Sequence, residues 1–411
     1  MSYQDIDVGL TDEEIAMRDT VRKFGAEVVR PAGIELDKLA DPADVIADDS
    51  ILWDVFKKFR ELGLHKIGMP KAIGGMAEDL TPMARYLISE EMGYADAGLG
   101  ISLSVAGSPF AYCAMSDVPE LKQLAVKYVE DTDCEMIGCW AITEPDHGGD
   151  WSLGRNDPRC GPSLKGELKG DEYELNGQKS AWVSNGNIAT HATVHVSLNP
   201  DLGMWGHGIC ILPLDLPGIS RGKPLDKIGQ RPLNQGEIFF DNVRIPKNFM
   251  VVPNVIQMYQ QARESGQAPR RNPAGGMAVT FGGLARAAFD EAHKYSKERI
   301  QGGVPIIEHK NIKLKLFKMF MMVEAARATA RRSYMNFAYG ETPSAAHATA
   351  GKWLSTETAF RVASEAMQIY GGNGLTKEYV IEKIFRDARA SMIEDGVNET
   401  LALAAMDGLG A

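Results

Sequence analysis

Apolar positions recur at helical spacing through residues 11–134, on alternate positions from Met136 to about Pro246, and at helical spacing again from about Asn248 onwards. Thr11 followed by Glu14 forms a capping box, after which Val21, Phe24 and Val28 share one helix face. Leu52, Val55, Phe56, Phe59 and Leu62 mark a second helix that stops at Gly63. Helices resume near Thr81 and run to about Val129, with breaks expected at the glycines around Gly98. In the middle stretch, turns are expected at Gly170-Asp171 and at Asn176-Gly177, with a short strand between them. Further strands read as THATVHVSL, GICILPL and GEIFFDNVRI, punctuated by Pro213, Pro217 and Pro246. The last part carries long helical runs over 278–299, 309–338 and 344–370, with wide apolar faces suited to an antiparallel bundle, and a charged helical run over 378–389.

This order predicts a multidomain α+β chain: an N-terminal helical domain (1–134), a small antiparallel β-barrel or sandwich (135–247) and a C-terminal four-helix bundle (248–411). No alternating βαβ pattern occurs, so a parallel dinucleotide-binding sheet is excluded. Residues 261–272 are polar and read as a surface loop.

Composition narrows the partners. The 411 residues carry a net charge of −11, which argues against nucleic acid or an anionic membrane as the main partner. No apolar run is long enough to suggest a transmembrane segment, and the acidic start MSYQDIDVGLTDEE does not read as a signal or transit peptide. Five cysteines without C-x-x-C spacing read as reduced thiols in a cytoplasmic protein. His191 and His195 have the spacing of a helical metal pair but lie in a strand pattern, so no metal is expected.

Candidate chemistry gathers in three places. Trp140 to Asp150 is an extended segment entering a Gly-rich turn, where Thr143 offers a hydroxyl and Gly148 and Gly149 offer unobstructed N–H groups. A planar heterocycle with a pyrophosphate would use such groups. Trp182 and Ser184 stand two apart on a strand and so share a face, an indole beside a hydroxyl. Gln368 to Glu399 runs from Gly371-Gly372-Asn373-Gly374 to the carboxylate pair Glu394-Asp395 before Gly396. Each alone reads equally as a loop, a hairpin with a buried Trp, or a solvated turn. Their occurrence together, in this order, favours a functional site.

The motifs make the chain resemble the acyl-CoA dehydrogenase family of flavoproteins over nearly its whole length. The T-E-P-x-x-G-S-D stretch appears as Thr143-Glu144-Pro145-Asp146-His147-Gly148-Gly149-Asp150, and the G-x-K-x-W-I-[TS]-N-G stretch as Gly177-Gln178-Lys179, one residue longer before Trp182, then Val183-Ser184-Asn185-Gly186. Further matches are Gly229-Gln230-Arg231, Glu298-Arg299 with Gln301, the intact Q-I-x-G-G-x-G of Gln368–Gly374, and Arg386-Asp387-Ala388. The resemblance implies FAD, with Trp140 and Thr143 at the isoalloxazine, Trp182 covering the ring and Ser184 hydrogen-bonding N5. It places Gly148 and Gly149 near the flavin phosphates, with Gly149 also near the acyl-CoA. Arg299, Gln301, Gln368, Gly371 and Gly372 would serve the adenine half of FAD in a neighbouring subunit. That implies a homo-oligomer, most often a dimer of dimers, and an electron-transferring flavoprotein as acceptor.

The departures shape the functional expectation. In most relatives a glutamate precedes the terminal Gly and removes the substrate α-proton; the register of Arg386-Asp387-Ala388 puts Asp395 there, with Glu394 in the usual Tyr place. The other location of the base in the family falls on Arg271–Gly275, which has no carboxylate. Asp395 is therefore the candidate base. Its side chain is one methylene short, about 1 Å of reach, so an atypical branched or cyclic acyl group is expected to sit closer to this loop. Gly396, Ser104, Arg270 and Arg271 complete the candidate substrate contacts, the arginine pair reading equally as a solvated basic patch. The expected activity is α,β-desaturation of an acyl-CoA thioester. The competing readings are an oxidase with an aspartate base, a desulfinase or hydroxylase, and a non-catalytic acyl-CoA-binding flavoprotein.

Overall fold

A computed structural model describes residues 5, 8–152, 157–258, 273–340 and 344–409. The N-terminal part is helical, as the spacing requires. Helix α1 (Asp12–Phe24) opens on the expected capping box, with Glu14 N–H donating to Thr11 Oγ1 at 3.2 Å and Thr11 N–H to Glu14 Oε2 at 3.1 Å. A π turn (Gly25–Val29) leads into α2 (Arg30–Lys38). Helix α3 (Leu52–Glu61) buries Leu52, Val55, Phe56 and Phe59 and ends at Gly63, whose φ of +70° suits glycine. Helix α4 (Pro82–Ala95) is capped by the Thr81 hydroxyl.

The next break differs from the expected one. It falls at Asp96, which ends α4 and caps α5 (Ala97–Val105) through Oδ1, accepting from Leu99 N–H at 2.9 Å. Gly98 lies inside α5, where an added Cβ would stand 3.3 Å from Gln230 Cα. That glycine serves close approach of the β domain, not a turn. Helices α6 (Ser108–Met115) and α7 (Pro119–Glu130) follow. The stretch Ala97–Met115 is long and apolar enough, by length and composition, to cross a membrane. It is interrupted at Ala106-Gly107 and half buried inside the protein, the pattern of core helices.

The middle part is a curled seven-stranded sheet of β1 (Gly138–Ala141), β2 (Lys165–Lys169), β3 (Glu172–Ser184), β4 (His191–Ser197), β5 (His207–Pro213), β6 (Ile219–Arg221) and β7 (Gln235–Pro246). The strand order is β1-β4-β2-β3-β7-β6, with β5 paired to β4. It is mixed where a purely antiparallel sheet was expected, because β4 pairs in parallel with β1 and at its end with β2. Asn176-Gly177 is not a turn. Strand β3 passes straight through it as a bulge, with Gly177 at φ +136° and Leu164 Cα 2.9 Å from where a Cβ would lie. A second irregularity opposite β7, between Lys179 and Val183, turns Trp182 out of the sheet. Leu175, Val194, Val196, Cys210, Ile238 and Val243 form the core.

The C-terminal part packs α8 (Pro273–Glu298), α9 (Lys310–Tyr339), α10 (Ala345–Tyr370), α11 (Ile381–Ser391) and α12 (Asn398–Gly408). The last was not anticipated from the sequence. Phe281, Leu284, Ala288, Val323, Val362 and Ala366 fill its core. Helices α4 and α8 cross so closely that an added Cβ at Gly93 would sit 2.0 Å from Thr280 O, and at Gly283 2.2 Å from Glu90 O. Because backbone blocks both positions, Gly283→Ala is expected to cost about 1–3 kcal/mol, read as a lower midpoint in urea denaturation. An unchanged midpoint would contradict this close crossing.

Ion pairs join the three parts. Arg286 reaches Glu91 (2.7 Å) and Glu90 (3.4 Å) across that crossing. Lys383 bonds Asp96 and Asp387, each at 2.6 Å. Arg386 pairs with Asp37 and donates to Ile228 O, while Arg231 reaches Asp37 O at 3.1 Å.

Candidate active site

The Thr-Glu-Pro segment leaves β1 and is pinned from beneath. Glu144 and Lys179 form an ion pair at 2.7 Å with both side chains fully buried. Glu144 also accepts from the backbone N–H of Ser163 and Leu164, and Lys179 donates to Ile142 O at 3.1 Å. Burial pushes the Lys179 ammonium down to about 8 against the pull of Glu144. Glu144 and His147 pair through their backbones, and His147 Nδ1 lies 2.7 Å from Asp150 Oδ2. This fixes the loop that presents Gly148, around which an added Cβ would meet nothing within 4 Å. Thr143 is half-buried, its carbonyl accepting from Ser180 N–H at 2.9 Å. Half-buried Trp140 donates from Nε1 to His195 Nε2 at 2.8 Å, which leaves the His195 proton on Nδ1. Burial, with His207 and Lys179 nearby, holds His195 neutral.

Across the sheet, Trp182 is 58% exposed and presents an aromatic face at the surface. Ser184, two residues on, is half-buried and accepts from Gln235 Nε2 at 3.2 Å. Asn185, fully buried at φ +63°, anchors the strand end to α5, accepting from Ser102 Oγ at 2.7 Å and donating to Ser102 O at 2.9 Å.

The carboxylate pair lies on the turn between α11 and α12. Asp395 holds φ +50° and Gly396 φ +94°, a backbone shape that aims Asp395 away from its helix. Fully buried Lys352 secures the turn by donating to Gly396 O and to Asn398 Oδ1 at 3.2 Å. Desolvation raises the Asp395 carboxyl above the usual aspartate range, opposed by Lys352. Its side chain is nevertheless open to solvent. Half-buried Glu394 accepts from Gln230 Nε2 across the domain junction, and burial pushes it up to about 7.

A third group is separate. Arg299, Gln301, Gln368, Gly371 and Gly372 are all exposed at one end of the bundle. The stacked Tyr295 and Tyr370 rings (3.9 Å) and an Asn373–Tyr295 hydrogen bond (3.0 Å) hold the ends of α8 and α10 together there. Among the described residues, no hydrogen bond or ion pair joins these five to Trp140, Thr143, Trp182 or Ser184. Ser104 is exposed on α5, and Arg270 and Arg271 lie outside the described residues. Sequence reading does not single out Lys227 or Gln235, and it marks Lys179 only as part of a motif, without its ion pair to Glu144.

Comparison with known proteins settles the family. Three family models match in order: acyl-CoA dehydrogenase N-terminal domain at residues 11–117, middle domain at 139–243 and C-terminal domain at 273–409. The chain belongs to the acyl-CoA dehydrogenase family. A Bacillus subtilis relative described as "Probable acyl-CoA dehydrogenase YngJ" is 31% identical, over 95% of this chain and 96% of its own. The mouse mitochondrial short-chain specific acyl-CoA dehydrogenase is 28% identical, over 97% and 89%. Among solved structures, butyryl-CoA dehydrogenase from Megasphaera elsdenii superposes with a TM-score of 0.82 at 27% identity, covering 99% of this chain and 100% of its own. The protein is thus an FAD-dependent acyl-CoA dehydrogenase. The open space at Gly148, the exposed indole of Trp182 and the half-buried hydroxyl of Ser184 fit that cofactor's phosphates and ring.

Proposed function

We propose that this acyl-CoA dehydrogenase desaturates a branched or cyclic acyl-CoA with Asp395 as the α-proton base. The observation that carries the reading is Asp395 itself. It is an accessible carboxyl with a raised pKa, held on a left-handed turn that Lys352 secures. FAD, when bound, supplies the acceptor for the β-hydrogen that leaves with its electron pair. Asp395 takes the α-proton as the C–H bond breaks, and its own backbone N–H hydrogen-bonds the thioester carbonyl to acidify that position. Desolvation strengthens the carboxylate as a base for a weakly acidic C–H.

The same reading assigns Trp140, Thr143, Trp182, Ser184, Gly148 and Gly149 to the FAD of their own subunit. Arg299, Gln301, Gln368, Gly371 and Gly372 then serve a neighbour's, and their separate, exposed placement supports this. Gly149, Ser104, Gly396, Arg270 and Arg271 are assigned to the acyl-CoA. The domain limits fall at 134/135 and 247/248. Exposed Leu314, Phe317, Phe320 and Met321 on α9 support a homo-oligomer, and sedimentation that finds a single copy in solution would refute it. An electron-transferring flavoprotein is the proposed acceptor; purified flavoprotein that leaves the substrate-reduced enzyme unoxidised would refute that pairing. The free thiols suit a reducing, cytoplasmic setting; fractionation that recovered the protein outside the cytoplasm would refute it.

The pH profile tests the base. Asp395 must be ionised to act, so kcat/KM is expected to fall as pH drops through its raised pKa. That acid limb lies above the roughly 3.9 of an ordinary aspartate. A rate flat down to that value would remove Asp395 from the role.

A further inference from the structure

Ser184 Oγ accepts from Gln235 Nε2 at 3.2 Å, and the same nitrogen donates to Trp182 O at 3.3 Å. The other end of that amide is also occupied. Gln235 Oε1 accepts from Lys227 Nζ at 2.8 Å, while Lys227 also donates to Leu233 O at 2.7 Å. A lysine Nζ facing an amide selects the oxygen end, because an ammonium has donors only. Lys227 therefore fixes which way the buried Gln235 amide points, and the NH2 end is the one left for Ser184. A serine hydroxyl carries one proton. Having accepted from Gln235, Ser184 keeps that proton free for another partner.

We propose that Lys227 and Gln235 are positioning residues that hold the Ser184 hydroxyl as a hydrogen-bond donor toward the cofactor edge it faces. This rests on the reading that Ser184 faces flavin N5, an acceptor in the oxidised ring. If the amide were reversed, its oxygen would meet Ser184, the hydroxyl proton would turn back to it, and only lone pairs would face the ring.

The selection is strictest while the lysine is charged. Burial pushes Lys227 down to about 7, with Glu394 and Asp387 opposing that fall and Arg231 adding to it. A neutral amine still has two N–H donors for Leu233 O and Gln235 Oε1, but its lone pair no longer excludes the reversed amide, so the hold on Gln235 is firmest below that value. Sequence alone could not show this chain of contacts, since Gln235 and Ser184 are 51 positions apart and meet only through the β3–β7 pairing.

The test uses purified FAD-loaded protein, after FAD content has been checked in each variant. Two readouts are taken: the visible absorption of the bound flavin, and its oxidised-to-reduced ratio poised against a redox dye. Ser184→Ala sets the reference and is expected to change that ratio by about two- to tenfold, the worth of one hydrogen bond. Gln235→Glu, which can only accept, and Lys227→Met are expected to move the ratio and the spectrum in the same direction as Ser184→Ala. Lys227→Arg, which keeps a donor, is expected to stay close to wild type. The proposal is overturned if Ser184→Ala shifts both readouts while Gln235→Glu and Lys227→Met match wild type. A Ser184→Ala variant identical to wild type overturns the N5 reading of Ser184, and the proposal with it. If Lys227→Met does not fold, near-isosteric Gln235→Glu decides the matter alone.

Discussion

Asp395→Asn is expected to lower turnover by about 10²–10⁴-fold, the range for removing a positioned general base. The substitution keeps the shape and the left-handed turn, where asparagine is well tolerated, so folding and FAD content should stay at wild-type level. The loss should appear in kcat more than in KM, since the amide keeps the size of the side chain but cannot accept the α-proton. Asp395→Glu probes the reach. An added methylene moves the carboxyl by about 1 Å, enough to disturb proton transfer. If the substrate sits close to this turn, glutamate should work worse than aspartate on it and better on linear acyl-CoAs. Turnover preserved in Asp395→Asn would remove the base from this position.

Lys179→Met carries the largest expected stability effect. Lys179 and Glu144 are both fully buried, and removing the ammonium leaves a carboxylate in the core of the β domain with only backbone N–H partners. Breaking such a pair costs about 3–5 kcal/mol, whereas replacing both partners by apolar side chains recovers much of the loss. Urea denaturation of Lys179→Met should therefore show a much lower midpoint, and Lys179→Met with Glu144→Leu a partial recovery. The site should suffer with the fold, because Glu144 begins the loop that carries Gly148 and Gly149. FAD retention on gel filtration should drop in the single variant. A midpoint within about 1 kcal/mol of wild type would mean that the pair is not a support of that loop.

Local signals were readable where the chain decides structure over a few residues. The Thr11–Glu14 capping box, the Gly63 stop and strands β4, β5 and β7 all appear where the sequence places them, although β4 and β5 are buried at nearly every position and not at alternate ones. Long-range pairing was not readable. Asn176-Gly177 has the composition of a hairpin turn, yet the partner strand β7 draws the chain through it as a bulge. The parallel pairing of β1 with β4 leaves no mark in either segment. The helix break falls at Asp96 and not at Gly98, because a helix cap depends on backbone shape at one residue, while the glycine answers to Gln230 on another domain. For the site, residue type and order pointed to Trp182, Ser184 and Asp395. Lys227, Gln230, Gln235 and Lys352 act through contacts between distant segments, and only the folded chain brings these together.

The most direct test of the Asp395 reading is anaerobic titration of the purified protein with linear, branched, cyclic and dicarboxylic acyl-CoAs, following flavin absorbance. The expected result is a yellow protein bleached by a branched or cyclic acyl-CoA and left unbleached by the same compound in Asp395→Asn. A yellow protein that none of these compounds bleaches, or one bleached equally in Asp395→Asn, would contradict it.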